Sequence, residues 1–390
     1  MLFANIIHLD RKHMRKLCFN PWVPAILTSA YFLIACSSDE PKDPSPVDPG
    51  PEIEIVDWEK LENFQERVYN IELIDNKFYG TGIASYFFEI DINGAVNPQY
   101  FWSYVARTGR YKFPVSNKVL VSRSETDLFL FPSSNVSSGS VTSIKMEDLD
   151  PNFRFFEDMP RWNSDIFGLT TDGIGLVPYR KVVNGFATNN PTFLMFESNQ
   201  LDNLIQIGNS SIIDFEFANA YSNCDRIESF KDFFSVQVGN ATFKINLAGE
   251  VSKLSDFKAR SVEVNNKIYS FAHNTSNNRI EVLVSDFLGN NTSQVATADY
   301  NEIFVRGEYF EVNDEIILVF RNNIYWLQIL NNGVKITELE NQNLDSGDIY
   351  NVIMAPEEKV LISNICNTPK CGIFSKSLED FFKPKQIKDQ

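Results

Sequence analysis

The side chains with the most chemical capacity gather in one stretch, PNFRFFEDMPRWNSDIFG, from Pro151 to Gly168. Arg154, Glu157, Arg161, Trp162 and Asp165 bring guanidinium, carboxylate and indole groups close together in a segment too irregular for a clean strand. An indole stacks on the apolar face of a sugar ring while the charged groups hydrogen-bond its hydroxyls, and the same set makes a protein-binding hot spot. These five residues are the candidate ligand contacts. The alternative is a connecting loop whose aromatics plug the core and whose charges face water.

Other routes to chemistry are thin. A Ser-His-Asp triad, a Cys-His pair or a common zinc site needs histidine beside a nucleophile or further ligands. Of the three histidines, His8 and His13 lie in the N-terminal leader, and only His273 remains, in SFAHNTSNNR, a strand end entering a polar loop. No catalytic residue and no metal site is assigned. Carboxylate chemistry stays open, since a glycoside hydrolase needs only two facing carboxylates, but 51 acidic residues single out no pair. Glu89-Ile90-Asp91-Ile92-Asn93-Gly94 is spaced like the start of a calcium loop, yet its twelfth position is Tyr100, and an Asn-Gly hairpin turn is the expectation. The acidic turns Asp214-Phe215-Glu216 and Asp345-Ser346-Gly347-Asp348 are less specific still, and Tyr100–Val105 reads as core strand. There is no glycine-rich phosphate loop, so no cofactor is expected.

The chain has 35 basic and 51 acidic residues, a formal charge of −16, and no Lys/Arg-rich stripe, which excludes nucleic acid as an expected partner. Cys366 and Cys371 flank a turn-forming Asn-Thr-Pro in SNICNTPKCGIF. A disulfide closing that loop is expected in an exported protein, with a redox-active pair as the alternative; Cys224 is then a free, buried thiol.

The first residues stand apart from the rest. Arg11, Lys12, Arg15 and Lys16 precede an apolar run from about Trp22 to Ala35 that ends at Cys36. That run is shorter than the roughly 20 residues of a membrane-spanning helix, with Pro21 just before it and Pro24 within it, so it reads as a signal peptide, with Met14 as an alternative start. Removing residues 1–35 takes away four basic residues and one acidic residue, leaving 31 and 50 and a formal charge of −19. Pro41, Pro44, Pro46, Pro49 and Pro51 then make residues 36–56 an extended tether. Residues 57–390 form the folded domain.

Within that domain, Asp57–Val68 is the only helix candidate, with Trp58, Leu61, Phe64 and Val68 on one face; it is short and runs straight into a strand, so an entry segment is the alternative. Everything after it alternates short aromatic or β-branched runs with Asn-, Gly-, Asp- and Ser-rich turns, so the domain is all-β. FKINLAGEVSKL, IEVLVSDFLGNNTSQV and YWLQILNNGVKITEL align as strand-turn-strand, with Gly249, Gly289 and Gly333 spaced by 40 and 44 residues. VEVNNKIYSF matches FEVNDEIILVF at a shift of 48, and Asn76-Lys77-Phe78-Tyr79 matches Asn266-Lys267-Ile268-Tyr269 at a shift of 190. Gly94, Gly139 and Gly185 extend the glycine series at steps of 45 and 46. A four-strand unit repeating every 40 to 50 residues is the signature of a β-propeller blade, apolar on both faces and buried only by stacking on its neighbours. Residues 69–390 hold about seven such blades, with six or eight also compatible; two or three β-sandwiches are the competing architecture.

Three resemblances follow. Leu33-Ile34-Ala35-Cys36 resembles a bacterial lipobox, which implies that Cys36 is acylated, becomes the first mature residue and attaches the protein to the lipid bilayer. Ser37 and the acidic residues behind it resemble the sorting signals of Bacteroidota outer-membrane and surface lipoproteins. Val264–Phe271 followed by Glu281–Asp286 resembles kelch-type propeller repeats, although Phe271-Ala272-His273 stands where the kelch pattern has Gly-Gly. Together these imply an envelope-anchored, non-catalytic propeller that recognises a protein, peptide or glycan through its mouth loops. A carboxylate-based carbohydrate-active enzyme and a purely structural envelope protein are the alternatives.

Overall fold

The aromatic and β-branched runs fold as antiparallel strands, and the Asn-, Asp- and Gly-rich stretches between them turn the chain. The structure, a computed structural model, describes residues 57–61, 68–74, 77–82, 87–90, 119–123, 126–132, 141–157, 167–201, 204–216, 222–344, 347–365 and 372–386. All of them belong to one unit, Glu54–Gln390. The leader, Cys36, the tether, Arg161, Trp162, Asp165, Tyr100–Val105, Cys366 and Cys371 lie outside the described residues.

Among the described residues there are seven sheets, six of them built from consecutive strands and the seventh completed by the first described strand. The first described strand is β1 (Glu59–Lys60). Sheet one is β2 (Val68–Ile74), β3 (Lys77–Gly82) and β4 (Phe87–Ile90), and sheet two is β5 (Val119–Arg123), β6 (Asp127–Pro132) and β7 (Thr142–Lys145). Sheet three comprises β8 (Phe153–Phe156), β9 (Gly168–Leu169), β10 (Ile174–Val183), β11 (Phe186–Ala187), β12 (Thr192–Leu201) and β13 (Leu204–Asp214). Sheet four is β14 (Cys224–Ser229), β15 (Phe233–Val238), β16 (Ala241–Asn246) and β17 (Val251–Ser255). Sheet five is β18 (Ala259–Val264), β19 (Lys267–Asn274), β20 (Arg279–Asp286) and β21 (Ser293–Asp299). Sheet six is β22 (Glu308–Val312), β23 (Glu315–Phe320), β24 (Asn323–Leu330) and β25 (Gly333–Glu338). Sheet seven is β26 (Asp348–Ala355), β27 (Lys359–Ile365) and β28 (Gly372–Ser377), with β1 as its fourth strand. Among the described residues there are three short helices: α1 (Met146–Leu149), α2 (Glu302–Arg306) and α3 (Leu378–Phe381).

The helix candidate over Asp57–Val68 is corrected here. Glu59 and Lys60 pair with Ser375 and Phe374 of β28, and Val68 already belongs to β2. Helical spacing of Trp58 and Leu61 is real, but so short a segment has little helical stability of its own, and the open edge of β28 captures it.

Burial explains why the sheets stack. All six residues of β15 and five of the six in β16 are buried, whereas the outer strand β17 is mostly exposed. Both faces of these middle strands are therefore covered, one apolar (Phe234, Val236, Phe243, Ile245) and one largely polar (Ser235, Gln237, Thr242, Lys244), and each needs a neighbouring sheet. Leu128 and Leu130 of sheet two pack with Val177 and Phe196 of sheet three; Leu176 and Phe193 of sheet three pack with Phe234 and Val236 of sheet four. Phe271 and Val282 of sheet five meet Tyr309 and Leu318 of sheet six. Sheet seven packs on both sides, with Val352 and Ile362 against Phe310 and Val319 of sheet six, and Leu361 and Ile373 against Ile71 and Phe78 of sheet one. A fully buried Leu or Phe contributes about 1.5–3 kcal/mol, so these clusters outweigh any single turn or ion pair.

The repeated turns sit where the repeat requires them. Asn265-Asn266 joins β18 to β19 and Asn313-Asp314 joins β22 to β23, each pair with φ between 52° and 64°, so both link the first strand of a sheet to the second. The loops at Gly249 and Gly289 link third to fourth strands and are built alike. Asn246 Oδ1 accepts from the N–H groups of Ala248 (3.1 Å) and Glu250 (2.9 Å), and Asp286 Oδ1 from those of Leu288 (3.0 Å) and Asn290 (2.7 Å). Gly333 follows a shorter connection at the equivalent place. Gly185 does not belong to the series: it turns β10 into β11, a second-to-third strand connection.

Candidate functional site

The segment that stood out in the sequence interrupts the inner strand of sheet three. β8 pairs with β10 at Tyr179, Arg180 and Lys181, and β9 pairs with it further along at Leu176 and Gly175, so β8 and β9 are two pieces of one strand. The chain leaves that line after Glu157, whose N–H donates to the carbonyl of Pro178 (3.1 Å), and rejoins it at Phe167. Pro178 faces the inner strand with an acceptor but no N–H, so the ladder cannot continue there, and the excursion starts at that point. Arg161, Trp162 and Asp165 belong to this excursion, outside the described residues. Arg154 is exposed on β8, beside the exposed Phe155.

Glu157 sits at the base of the excursion and is buried. Its carboxylate pairs with Nε of Arg180, itself wholly buried, and accepts the N–H of Cys224 (3.1 Å). Arg180 also donates to the carbonyls of Thr188 (3.1 Å) and Ser222 (2.5 Å) and to Asn223 Oδ1 (3.1 Å). Burial raises the Glu157 carboxyl against the opposing pull of Arg180 and the Cys224 N–H. On the return side, Leu169 N–H donates to Ser229 Oγ (2.8 Å). Both feet of the excursion are thus fastened to β14. Cys224 is buried, and desolvation pushes its thiol well above the ordinary value, the reverse of what a reactive cysteine needs.

Beside those feet the first strands of sheets four, five and six share a charged cluster. Arg226 of β14 makes a bidentate pair with Glu308 of β22 (3.3 and 2.5 Å), and Arg260 of β18 reaches the same carboxylate (2.7 Å). Arg226 Nε also donates to Glu228 (2.9 Å), whose other oxygen accepts the N–H of Ser261 from the edge of β18 (2.8 Å). The first strands of sheets four, five and six thus meet through their side chains. The sequence reading missed these four residues; the available signal was charge placed in the first strand of successive repeats.

Burial alone would raise the Glu308 carboxyl, but Arg226 and Arg260 outweigh it and hold it at about 2, against an ordinary 4.5. A carboxylate lowered in the fold stabilises above its unfolded value and loses that contribution as pH falls through its folded value. The parent is therefore expected to lose on the order of 3 kcal/mol from this group between pH 4.5 and about 2. Glu308→Gln should remove that part of the acid slope and lower stability at neutral pH, where two arginines lose their counter-charge. Denaturant unfolding across that range checks it; an unchanged slope in the variant contradicts the assignment.

The remaining candidates are occupied locally. His273 Nε2 lies 3.1 Å from Asn278 Oδ1, and its ring packs at a tilt against Tyr300. Asp214 accepts from Lys181 Nζ (2.7 Å) and Thr192 Oγ1 (3.3 Å). Among the described residues no group of three or more His, Cys, Asp or Glu is placed to hold a metal, and no helix is long and apolar enough to cross a membrane.

No protein-family model matches the chain, and no curated protein matches it. Among solved structures, the extracellular domain of BT4673 from B. thetaiotaomicron superposes with a TM-score of 0.44 at 10% identity, covering 80% of this chain and 38% of that one. The chain thus spans well under half of that neighbour. Kluyveromyces lactis Hsv2p gives a TM-score of 0.37 at 10% identity over 66% of this chain and 72% of that one. The computationally designed Ika8 protein gives 0.38 at 11% identity over 85% and 94%. Likenesses at this level assign no family and no function.

Proposed function

We propose that the seven sheets are the blades of a closed propeller, held at the bacterial cell envelope by an acylated Cys36 in the outer membrane, and that the protein is a non-catalytic binding or assembly module. Its partner is a protein, peptide or glycan, met by Arg161, Trp162 and Asp165 on the excursion and by Arg154 at its foot. The observation that carries this reading is the break between β8 and β9: both pair with β10, the aromatic and charged segment lies between them in the sequence, and the first piece ends at Glu157, which Arg180 locks in place. Rigid scaffolds that carry such segments place binding groups accurately at low entropic cost. Packing of sheet seven on both sheet six and sheet one, with β1 completing it, supports the closed ring.

Hydrolysis is the less favoured reading. Glu228 and Glu308, the carboxylates gathered by the inner strands, are bound to arginine, and a group held at about 2 makes a poor general acid near neutrality. The test is photo-crosslinking in cells producing the full chain, with p-benzoylphenylalanine in place of Trp162 and, as control, in place of the exposed Phe287. A discrete adduct from position 162, lost on Arg161→Ala or Asp165→Ala, is expected. Adducts no different from the control, or oligosaccharide turnover abolished by one carboxylate substitution, would overturn the reading. Cys36→Ser should abolish incorporation of labelled palmitate.

A further inference from the structure

A second surface, formed by sheets five and six, has the composition of a ligand site. The outer strands β21 and β25 of sheets five and six flank an open groove of about 380 Å³, within the usual range for small ligands. It exists because Asn301 ends the run after β21: its side-chain oxygen accepts the N–H of Ile303 (3.1 Å), caps α2 and sends Ile303 and Phe304 into the core. Tyr300, the residue just before the cap, is left at the rim, 42% exposed. His273 supports its ring from one side at 4.5 Å between centroids, tilted by 36°.

The rest of the groove is amphipathic. Val334 and Ile336 give it an apolar wall, and Thr297, Asp299 and Arg279 give it hydrogen-bonding groups. Asp299 and Arg279 are 3.9 Å apart and well exposed, so their mutual pairing is weak and their remaining donors and acceptors are turned to solvent. A Cβ added at Gly333 would approach only the Thr297 carbonyl, at 3.8 Å, which leaves the floor open.

We infer that this groove binds a neutral saccharide, with the sugar's C–H face on Tyr300 and its hydroxyls between Arg279 and Asp299. The pairing follows from the chemistry: a pyranose presents an apolar face and a ring of hydroxyls, and one charge of each sign at the rim favours neither an anion nor a cation. The site is independent of the partner proposed for the excursion.

Calorimetric titration of the full chain in detergent with unbranched neutral hexasaccharides of glucose, mannose and xylose tests it. One of the three should bind, Tyr300→Ala should weaken that binding about tenfold or more, and Tyr300→Phe should stay within about threefold. Arg279→Ala and Asp299→Ala should each weaken it several-fold. Absence of binding by all three sugars overturns the inference, as does binding that survives Tyr300→Ala undiminished. Crosslinking from position 162 should be unaffected by Tyr300→Ala, so failure at one site is distinguishable from failure at the other.

Discussion

Arg180→Ala is expected to cost about 3–5 kcal/mol, a large share of the 5–15 kcal/mol typical of a folded domain. Removing the guanidinium strands the buried Glu157 carboxylate without its counter-charge and takes a donor from Thr188 O, Ser222 O and Asn223 Oδ1 together. An unsatisfied buried group costs about 1–3 kcal/mol even when neutral, so the loss cannot be absorbed locally. Arg180→Lys should recover little, since one ammonium cannot span four acceptors arranged around a planar fork. The pair Arg180→Met with Glu157→Leu should recover only the share due to the stranded carboxylate, because no buried charge remains but the hydrogen bonds to Thr188, Ser222, Asn223 and Cys224 are still lost. Urea unfolding of the three variants decides the matter: a single-variant loss below about 1 kcal/mol would show that the pair does not hold β8, β10 and the approach to β14 together.

Trp58→Ala should be of similar size, about 3–5 kcal/mol. The indole is 3% exposed and lies in the cluster formed by Phe310, Val312, Phe374 and Phe381. Its ring meets Phe381 edge-on at 6.0 Å, and Lys376 Nζ lies 5.5 Å from its centroid. β1 itself contributes only two paired residues, continued by a Leu61 N–H to Ile373 O bond of 3.0 Å. Side chains hold this strand: Trp58 is fastened to the core shared with sheet six, and Leu61 to the one shared with sheet one. Losing the indole should therefore also release β1, seen as faster amide exchange in β28. Trp58→Phe should retain part of both. An unfolding midpoint unchanged in Trp58→Ala would refute this account of how sheet seven is completed.

What the sequence discloses is local demand. Asn265-Asn266, Asn313-Asp314, Gly249 and Gly289 announce backbone with positive φ, and each proves to turn one strand into the next. The sequence does not disclose which strands a turn joins: Gly185 has the same conformational need as its relatives but closes a different connection. Trp58 and Leu61 show the same limit, because their partners lie at the far end of the chain. In the candidate site, composition located the segment but not its division of labour. Glu157 looked like a surface ligand and is a buried anchor, since nothing near it in sequence announces Arg180, which sits in the apolar run IGLVPYRKVV. Arg226, Arg260 and Glu308 are far apart in the chain and become a set only when three first strands converge.

The pairing of β1 with β28 also fixes an order of events. Sheets one to six are each made of strands adjacent in the chain, closed by short loops, and can form as soon as their own residues are available. Sheet seven must wait until its last strand has been synthesised, then recover a two-residue strand from the other end of the domain. The seam is the longest-range contact and the slowest to nucleate. A copy cut short before Gly372 would keep its tryptophan uncovered and two sheet edges open, so that incomplete chains differ from finished ones in the features proteases attack.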